Sequence, residues 1–278
     1  MRDRYSRKTL IWEVLLLLLA IAFCLPLYLL VSISLKPPQE LFTSPLTFPT
    51  DLHFENFSRA WQARNSGGMA SAMISSVIIT VGSVATLIVI GSLSAYAIAR
   101  RPGKLSATLY TLFVIGIIVP FQLTVLPLFV LFRSLGLIGT YLGMIILWVG
   151  ILTPLTVFLY TGFVRTIPRD YEEAARMDGA GLVRTYVQVV FPLLRPITGT
   201  VAILTGLFIW NDFFASLIFL GGSGRETLPV AIYSFVGEYL TQWNLVFAAV
   251  VIALAPLLVF FLIAQKQMIR GFSGGIRG

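Results

Sequence analysis

The polar residues whose types and spacing suit chemistry lie together in one stretch, residues 172–196, of an otherwise very apolar chain. It reads EEAARMDGAGLVRTYVQVVFPLLRP, with the charges of Glu173, Arg176 and Asp178 set among small side chains. A short helix with a smooth, small face can seat deeply in a partner's groove, and flanking charges can fix its register. The chemistry indicated is therefore recognition of a partner. The alternative is an amphipathic helix on a membrane surface, but the first half has few large apolar anchors.

Catalytic chemistry is not indicated by the sequence. The apolar segments hold no pair of carboxylates, no cluster of His and Cys, and no H-E-x-x-H, G-x-S-x-G or G-x-x-x-x-G-K-[ST] motif. The one histidine, His53, is interpreted as a surface residue and the one cysteine, Cys24, as a small apolar filler, so no metal site is expected. If the chain acts through ATP, another chain must bind the ATP.

Composition places the chain in a membrane. Hydrophobic residues make up 57% of its 278 residues and charged residues 12%, against about 25% charged in ordinary soluble domains. The apolar residues fall in runs of about 20, the length at which a helix crosses a bilayer core of roughly 30 Å. Because lipid cannot satisfy backbone hydrogen bonds, we expect an all-α polytopic membrane protein with six spans. They are expected at about residues 11–35, 71–99, 105–132, 140–164, 197–220 and 244–265.

These spans are expected to form a single transmembrane domain over residues 11–278, preceded by a short segment, residues 1–10. The first span differs from a signal peptide, because its apolar run from Val14 to Ser34 is longer than the usual core of about 7–15 residues. We therefore expect this span to be retained.

Topology explains the net charge of +8, so no nucleic-acid partner is expected. Fifteen of the 20 Lys and Arg residues fall in the terminal segments and in the loops on one side of the predicted membrane, and five fall on the other side. Cytoplasmic loops carry the excess of positive charge. Both termini and the loop 165–196 are therefore expected to be cytoplasmic.

The loop 165–196 is longer than most connections between packed helices, and its sequence predicts structure. Asp170 is a good N-cap, and Glu173 completes a capping-box pattern with it. Acidic residues in the first turn also suit the helix dipole. A helix is therefore expected from about Tyr171 to Ala180, and a second helical piece from about Leu182 to Val190.

Glycines and prolines punctuate this loop. Gly179 and Gly181 are expected to break the first helix, because glycine adopts backbone conformations that other residues avoid. Pro192 and Pro196 are expected to mark the turn back into the fifth span.

The stretch resembles the EAA signature of ABC importer permeases, which reads E-A-A-x-x-x-G-x9-I-x-L-P. The residues that match it in type and spacing are Glu173, Ala174, Ala175, Gly179 and Pro192. Val189 and Phe191 stand in place of the usual Ile and Leu, as apolar replacements. Asp178-Gly179-Ala180 supplies the D-G-A that the family often has at the glycine.

Nearly the whole chain resembles the shorter, six-span permease of sugar importers of the maltose type. Three features favour sugars over other solutes. The first is Ser34-Leu35-Lys36-Pro37, followed by Asn56-Phe57 and Trp61. The second is Trp210-Asn211-Asp212-Phe213, and the third is the tail from Gln267-Met268-Ile269-Arg270-Gly271-Phe272 to Gly278.

By this resemblance, the helix 171–181 is a coupling helix that docks in a cleft of an ATP-binding subunit. Two such subunits hold ATP and Mg²⁺, and this chain has no cofactor and no enzyme activity of its own. A second permease forms the translocation pathway with it as a heterodimer, and an extracytoplasmic solute-binding protein delivers the substrate. The implied location is the cytoplasmic (inner) membrane of a bacterium or archaeon. The residues implied in coupling are Glu172, Glu173, Ala174, Ala175, Asp178, Gly179, Ala180 and Pro192.

Three polar residues in apolar spans are candidates to line the substrate pathway or to gate it: Gln122, Asn211 and Asp212. Gln122 lies between Pro120 and Pro127, which can kink a helix; the alternative is a purely structural kink. A charged side chain at a bilayer centre costs roughly 2.5–3.5 kcal/mol on insertion scales, so Asp212 is expected to face a cavity or a partner. For Asn211 and Asp212 the alternative is a polar contact between spans or with the second permease.

Two other functions stay open at this stage. An importer for another solute, such as a polyamine or phosphate, fits the same architecture. A membrane enzyme or a regulatory scaffold is the second alternative, and the missing catalytic constellation counts against the enzyme.

Overall fold

A computed structural model describes residues 7–63, 68–238 and 242–274, and within these ranges the regular structure is helical throughout, as the composition predicts. The first helices, α1–α4, are Arg7–Ser34, Glu40–Thr43, Glu55–Gln62 and Met69–Arg100. Helices α5–α9 are Lys104–Ile118, Phe121–Ser134, Tyr141–Thr166, Asp170–Met177 and Leu182–Thr185. A π-helical turn, Tyr186–Val190, precedes α10–α14, which are Phe191–Leu193, Arg195–Trp210, Phe214–Leu220, Leu228–Glu238 and Trp243–Gly274.

Three helical segments are long and apolar enough to cross a membrane: Thr9–Ser34, Met69–Arg100 and Tyr141–Thr166. Two further candidates are pairs of helices joined at a sharp bend, α5 with α6 and Leu182–Leu193 with α11. A shorter apolar helical segment covers Trp243–Val259. By length and composition this gives up to five spans in the described part of the chain, so the number six stays a prediction.

The expected span 105–132 is bent at one of its prolines, and the bend is sharp enough to divide it into two helices. Helices α5 and α6 meet at an angle of 100° across Val119 and Pro120. Val119 is extended, and Pro120 has no N–H to continue the hydrogen-bond ladder. By contrast, Pro127 is accommodated inside α6.

The expected span 197–220 is also interrupted. Helix α11 ends at Trp210 and α12 begins at Phe214, with Asn211 and Asp212 between them. At its other end, α11 is bent by 72° from the segment Leu182–Leu193. Polar residues therefore lie at a break in the helix, where backbone groups need partners other than the helix itself.

The described residues fall into two compact units. One comprises Met1–Met69 and Ala231–Leu257, and the other comprises Ala70–Val230 and Leu258–Gly278. The loop 165–196 and the three pathway candidates all belong to the second unit.

In the first unit, a buried amide joins three chain segments. Asn56 Nδ2 donates to the carbonyl oxygens of Ser34 and Lys36 at 2.9 and 3.0 Å, and Asn244 Nδ2 donates to Asn56 Oδ1 at 2.9 Å. The side chain of Lys36 is buried as well, and its ammonium donates to the carbonyl oxygen of Ser44 at 2.5 Å. The Lys-Pro and Asn-Phe features of the sequence therefore hold the end of α1, its following loop, α3 and the start of α14 together.

In the second unit, α4 and α7 pack closely because glycines on α4 make room for side chains of α7. A Cβ atom on Gly82 would lie 2.7 Å from Cδ1 of Ile145, and one on Gly91 would collide with the methyl group of Thr156. Gly206 of α11 also faces α4, within 4 Å of Val84. Small residues thus let α4 approach both helices, as membrane helices do where no hydrophobic effect drives them together.

Candidate functional site

Helix α8 begins one residue earlier than the sequence indicates, so the prediction of Asp170 as its N-cap is wrong. Arg169 occupies the cap position with helical backbone angles and makes no side-chain capping bond. Its carbonyl oxygen accepts from the N–H groups of Glu172 and Glu173 at 2.9 and 3.0 Å, so these donors need no aspartate cap. Asp170, Glu172 and Glu173 still place three acidic residues in the first turn, where the helix dipole favours negative charge.

The C-terminal end of α8 is built around Gly179. The helix stops at Met177, three residues before the expected end at Ala180. Ala180 N–H donates to the carbonyl oxygen of Ala175 at 2.9 Å and Gly179 N–H to that of Arg176 at 3.0 Å, the pair of bonds of a Schellman motif. Gly179 has φ of +79°, a conformation in which a Cβ atom is strained, which explains glycine at this position.

Glu172, which the resemblance implied in coupling although it precedes the motif, is directed into the protein. It is 4% exposed. Its Oε1 accepts from Nε of Arg100 at 2.6 Å, and its Oε2 accepts from the hydroxyl of Tyr96 at 2.8 Å. Both partners belong to the last turns of α4. Glu172 therefore holds α8 in place from inside, and the outward face of α8 is formed by its neighbours.

The outward face begins with residues that the sequence motif predicts. Glu173, Ala174, Asp178 and Gly179 are exposed, and Ala175 and Ala180 are half-buried. Motif reasoning missed three apolar side chains beside them: Met177, Leu182 and Val183, which are 88%, 61% and 73% exposed. We call Glu173, Ala174, Met177, Asp178, Gly179, Leu182 and Val183 together the coupling surface. Exposed apolar side chains beside charged ones are typical of interaction sites. In the sequence, the apolar pair Leu182-Val183 directly after Gly181 was the signal that could have predicted this part of the surface.

Pro192 and Pro196 flank the turn into α11, as the sequence predicts. Pro192 lies half-buried in α10, directly after the π-helical turn. The chain bends at Leu194, between the two prolines, and Pro196 occupies the first turn of α11.

The three pathway candidates are brought together at the break between α11 and α12. Gln122 and Asp212 line one cavity of about 340 Å³, and Asn211 and Asp212 line a second of about 600 Å³. Phe208 and Phe214 line both cavities. An amide, a carboxylate and aromatic walls are groups that can hydrogen-bond hydroxyls and contact the apolar faces of a polar solute.

Asp212 also has a local task. Its two carboxylate oxygens accept from the N–H groups of Ala215 and Ser216 at 3.2 and 2.9 Å. These are first-turn donors of α12, which has no intrahelical partner for them. Asn211 Nδ2 in turn donates to the carbonyl oxygen of Leu207 at 2.8 Å. Both polar residues therefore stabilise the interruption itself, which sequence reasoning did not foresee.

Metal-ligating residues do not converge in the part of the chain that the structure describes, since no group of three His, Cys, Asp or Glu residues forms there. His53 Nδ1 lies 3.4 Å from Oε1 of Glu55, and its side chain is 34% exposed. Cys24 is exposed on α1.

Comparison with known proteins agrees with this architecture. The family model of binding-protein-dependent transport system inner membrane components matches residues 87–274, which include the coupling surface and the cavities. The chain is 39% identical over 276 residues to the melibiose/raffinose/stachyose import permease protein MelC of Bacillus subtilis (strain 168), covering 99% of both chains. It is 33% identical over 273 residues to the probable starch degradation products transport system permease protein AmyC of Thermoanaerobacterium thermosulfurigenes, covering 97% of this chain and 98% of that one.

The fold also has a counterpart among solved structures. It matches a chain from a bacterial ABC transporter involved in the import of the acidic polysaccharide alginate, with a TM-score of 0.76. The match covers 94% of this chain and 98% of the other at 22% identity. The likeness shows that the fold is shared along nearly the whole length of both chains.

Proposed function

The chain belongs to the family of binding-protein-dependent transport system inner membrane components, and from this premise we propose that it is one of two permease subunits of an ATP-driven importer for a sugar or oligosaccharide. The relatives that match over nearly their full length support this substrate class, because they are named for melibiose, raffinose and stachyose and for starch degradation products. An importer for a polyamine or phosphate has no comparable support among them.

The coupling surface carries the mechanical part of the proposal. A short helix with a small central face, charged flanks and an apolar end suits a groove on an ATP-binding subunit. Two such subunits hold ATP and Mg²⁺, and their closure on ATP draws the coupling helices of the two permeases together. The spans then pass from an inward-facing to an outward-facing arrangement, in which an extracytoplasmic binding protein delivers the solute. In this scheme the membrane is the bacterial or archaeal inner membrane, with both termini on the cytoplasmic side.

The cavities at the α11 break carry the pathway part. Gln122, Asn211 and Asp212 supply donors and acceptors for the hydroxyl groups of a passing solute, while Phe208 and Phe214 offer contact to its apolar faces. The carboxylate of Asp212 offers about four acceptor positions, and the N–H groups of α12 occupy two of them. The remaining positions are available to a solute. In the proposed scheme the chain therefore contributes to the pathway, and specificity rests largely with the second permease and the binding protein.

Gly179→Trp tests the docking proposal. A Cβ atom at this position meets no atom within 4 Å, so an indole there has room to project outward and obstruct docking, although the turn itself is strained. We expect the ATP-binding subunit to be lost on co-purification, and sugar uptake and binding-protein-stimulated ATPase activity to fall to background.

Gly222→Trp is the matched control. Gly222 has φ of +75° and equally open surroundings. A tryptophan there imposes the same backbone strain and adds the same bulk, but away from the coupling surface. Gly222→Trp should retain the ATP-binding subunit. Normal uptake in Gly179→Trp would refute docking through this surface, and a solute other than a sugar bound by the cognate binding protein would refute the substrate class.

A further inference from the structure

We propose that the buried cluster of Glu172, Arg100 and Tyr96 is the joint through which movement of α8 enters the membrane-spanning helix α4. The inference rests on the proposed function, since it assumes that α8 is the element that the ATP-binding subunit moves. It assigns Glu172 and Arg100 as positioning residues: they touch neither the ATPase nor the solute and act by fixing α8 to α4.

The joint is made of charged and neutral bonds that converge on one place. Arg100 Nε donates to Glu172 Oε1 at 2.6 Å, and Arg100 Nη2 donates to the carbonyl oxygen of Ile167 at 2.9 Å. The hydroxyl of Tyr96 donates to Glu172 Oε2 at 2.8 Å. The side chains of Arg100 and Glu172 are only 12% and 5% exposed. Arg100 therefore binds both α8 and the end of α7, and the linker between these helices cannot swing freely.

One face of α4 is given over to this contact. Ser92, Tyr96 and Arg100 are spaced by four residues and so lie along one stripe of the helix. The hydroxyl oxygens of Ser92 and Tyr186 lie 2.7 Å apart, and the rings of Tyr96 and Tyr186 have centroids 5.3 Å apart. Tyr186 belongs to the π-helical turn, which follows α9. The coupling segment is thus fastened to α4 at two levels, by an ion pair at the end of the helix and by tyrosines above it.

The other part of α4 reaches the helices that line the cavities. Gly91 and Gly82 seat side chains of α7, and α11 approaches α4 at Gly206. Helix α7 contributes Trp148 and Leu152 to the cavity that Gln122 and Asp212 share. A displacement of α4 therefore moves α7 and α11, the two helices that line the cavities. The displacement is transmitted because closely packed side chains shift together and do not compress.

Glu172 and Glu173 form a matched pair for testing the joint, because they are adjacent and chemically identical but face inward and outward. Glu172→Gln keeps the shape and removes the charge that holds Arg100. In the assembled transporter in nanodiscs, we expect Glu172→Gln to retain the ATP-binding subunit and to lower the solute transported per ATP hydrolysed by about 2- to 30-fold, the range of typical coupling changes. Glu173→Gln should instead weaken retention of the ATP-binding subunit.

A distance measurement tests the joint directly. Spin labels at Tyr171→Cys and Arg101→Cys, both exposed positions, in a Cys24→Ala background report the spacing of α8 and the end of α4. We expect a narrow distribution of distances that widens in Glu172→Gln and in Arg100→Gln. The double variant should widen it no further than either single change, because both remove the same bond.

Four results would overturn the joint, and the first three concern the ratio, the distance and additivity. They are an unchanged transport ratio in Glu172→Gln, an unchanged distance distribution, and additive effects of the two single changes. Loss of the ATP-binding subunit in Glu172→Gln would also overturn it, because that result would place Glu172 on the docking face. Normal uptake in Gly179→Trp would instead refute the proposed docking surface, while the distance measurement would still report on the contact between α8 and α4.

Discussion

Two acidic residues at interruptions of the helical path, Glu172 and Asp212, use the same carboxylate group in opposite ways. Glu172 accepts from Tyr96 and Arg100, which precede it by 76 and 72 residues. Asp212 accepts from the N–H groups of Ala215 and Ser216, three and four residues after it. The first carboxylate joins distant segments, whereas the second stabilises the start of the next helix and lines a cavity.

The difference shows what a neighbour does to a carboxylate. Glu172 forms a buried ion pair with a guanidinium. Removing either partner is strongly destabilising, because the other is left as a buried charge without a partner. The N–H groups beside Asp212 are neutral helix-start donors, which a substitute acceptor or water can satisfy. Loss of Glu172 should therefore disconnect two regions, and loss of Asp212 should loosen one short helix.

The largest effect is expected when the ion pair is broken from the α4 side. Arg100→Ala leaves Glu172 charged and buried and the carbonyl of Ile167 without its donor, at a cost of about 3–5 kcal/mol in the free energy of unfolding. Detergent titration of the purified chain, followed by tryptophan fluorescence, measures this. The control is Arg169→Ala: that guanidinium is exposed and makes only a 3.5 Å contact with the carbonyl of Arg100, so the change should stay within about 0.5 kcal/mol. If both variants lowered the free energy of unfolding equally, the buried ion pair would contribute no more than an exposed arginine.

A smaller effect is expected at the other carboxylate. Asp212→Ala removes the acceptor for the first turn of α12 and should cost about 0.5–2 kcal/mol in the same titration. Asp212→Asn keeps an acceptor and removes the charge, so its stability should be close to that of the original chain. If Asp212→Asn also transports normally, the carboxylate serves the helix break alone; reduced transport at unchanged stability supports its place in the pathway.

The smallest effect is expected at the neutral part of the joint. Tyr186→Phe removes the hydrogen bond to Ser92 and keeps the ring against Tyr96, so the cost should be about 0.5–1 kcal/mol. Ser92 Oγ retains a bond to the carbonyl oxygen of Ile88, which limits the loss. The solute transported per ATP in this variant should stay within about twofold of the original chain. If Tyr186→Phe lowered the solute transported per ATP as much as Glu172→Gln does, the tyrosines rather than the ion pair would connect α8 to α4.

Much of this protein was predictable from residue type and spacing. The long apolar runs indicated membrane helices, and the spacing from Glu173 to Gly179 indicated the family signature and the glycine turn. The prolines at 120 and 127 indicated a kink, but not that Pro120 alone would break the helix. The misplaced cap at Asp170 and the early end of α8 at Met177 have a common cause: helix ends depend on backbone angles of flanking residues, which sequence patterns describe poorly.

The sequence by itself determined the membrane class and the family, because these follow from hydrophobicity and local spacing; the cytoplasmic side of the coupling loop stays a prediction from the charge distribution. Only the tertiary structure decided which of two adjacent glutamates faces inward, since the partner of Glu172 lies 72 residues away on α4. It likewise decided that Gln122 shares a cavity with Asp212, 90 residues further along. Contacts at such separations arise from helix packing, and no local pattern in the chain specifies them.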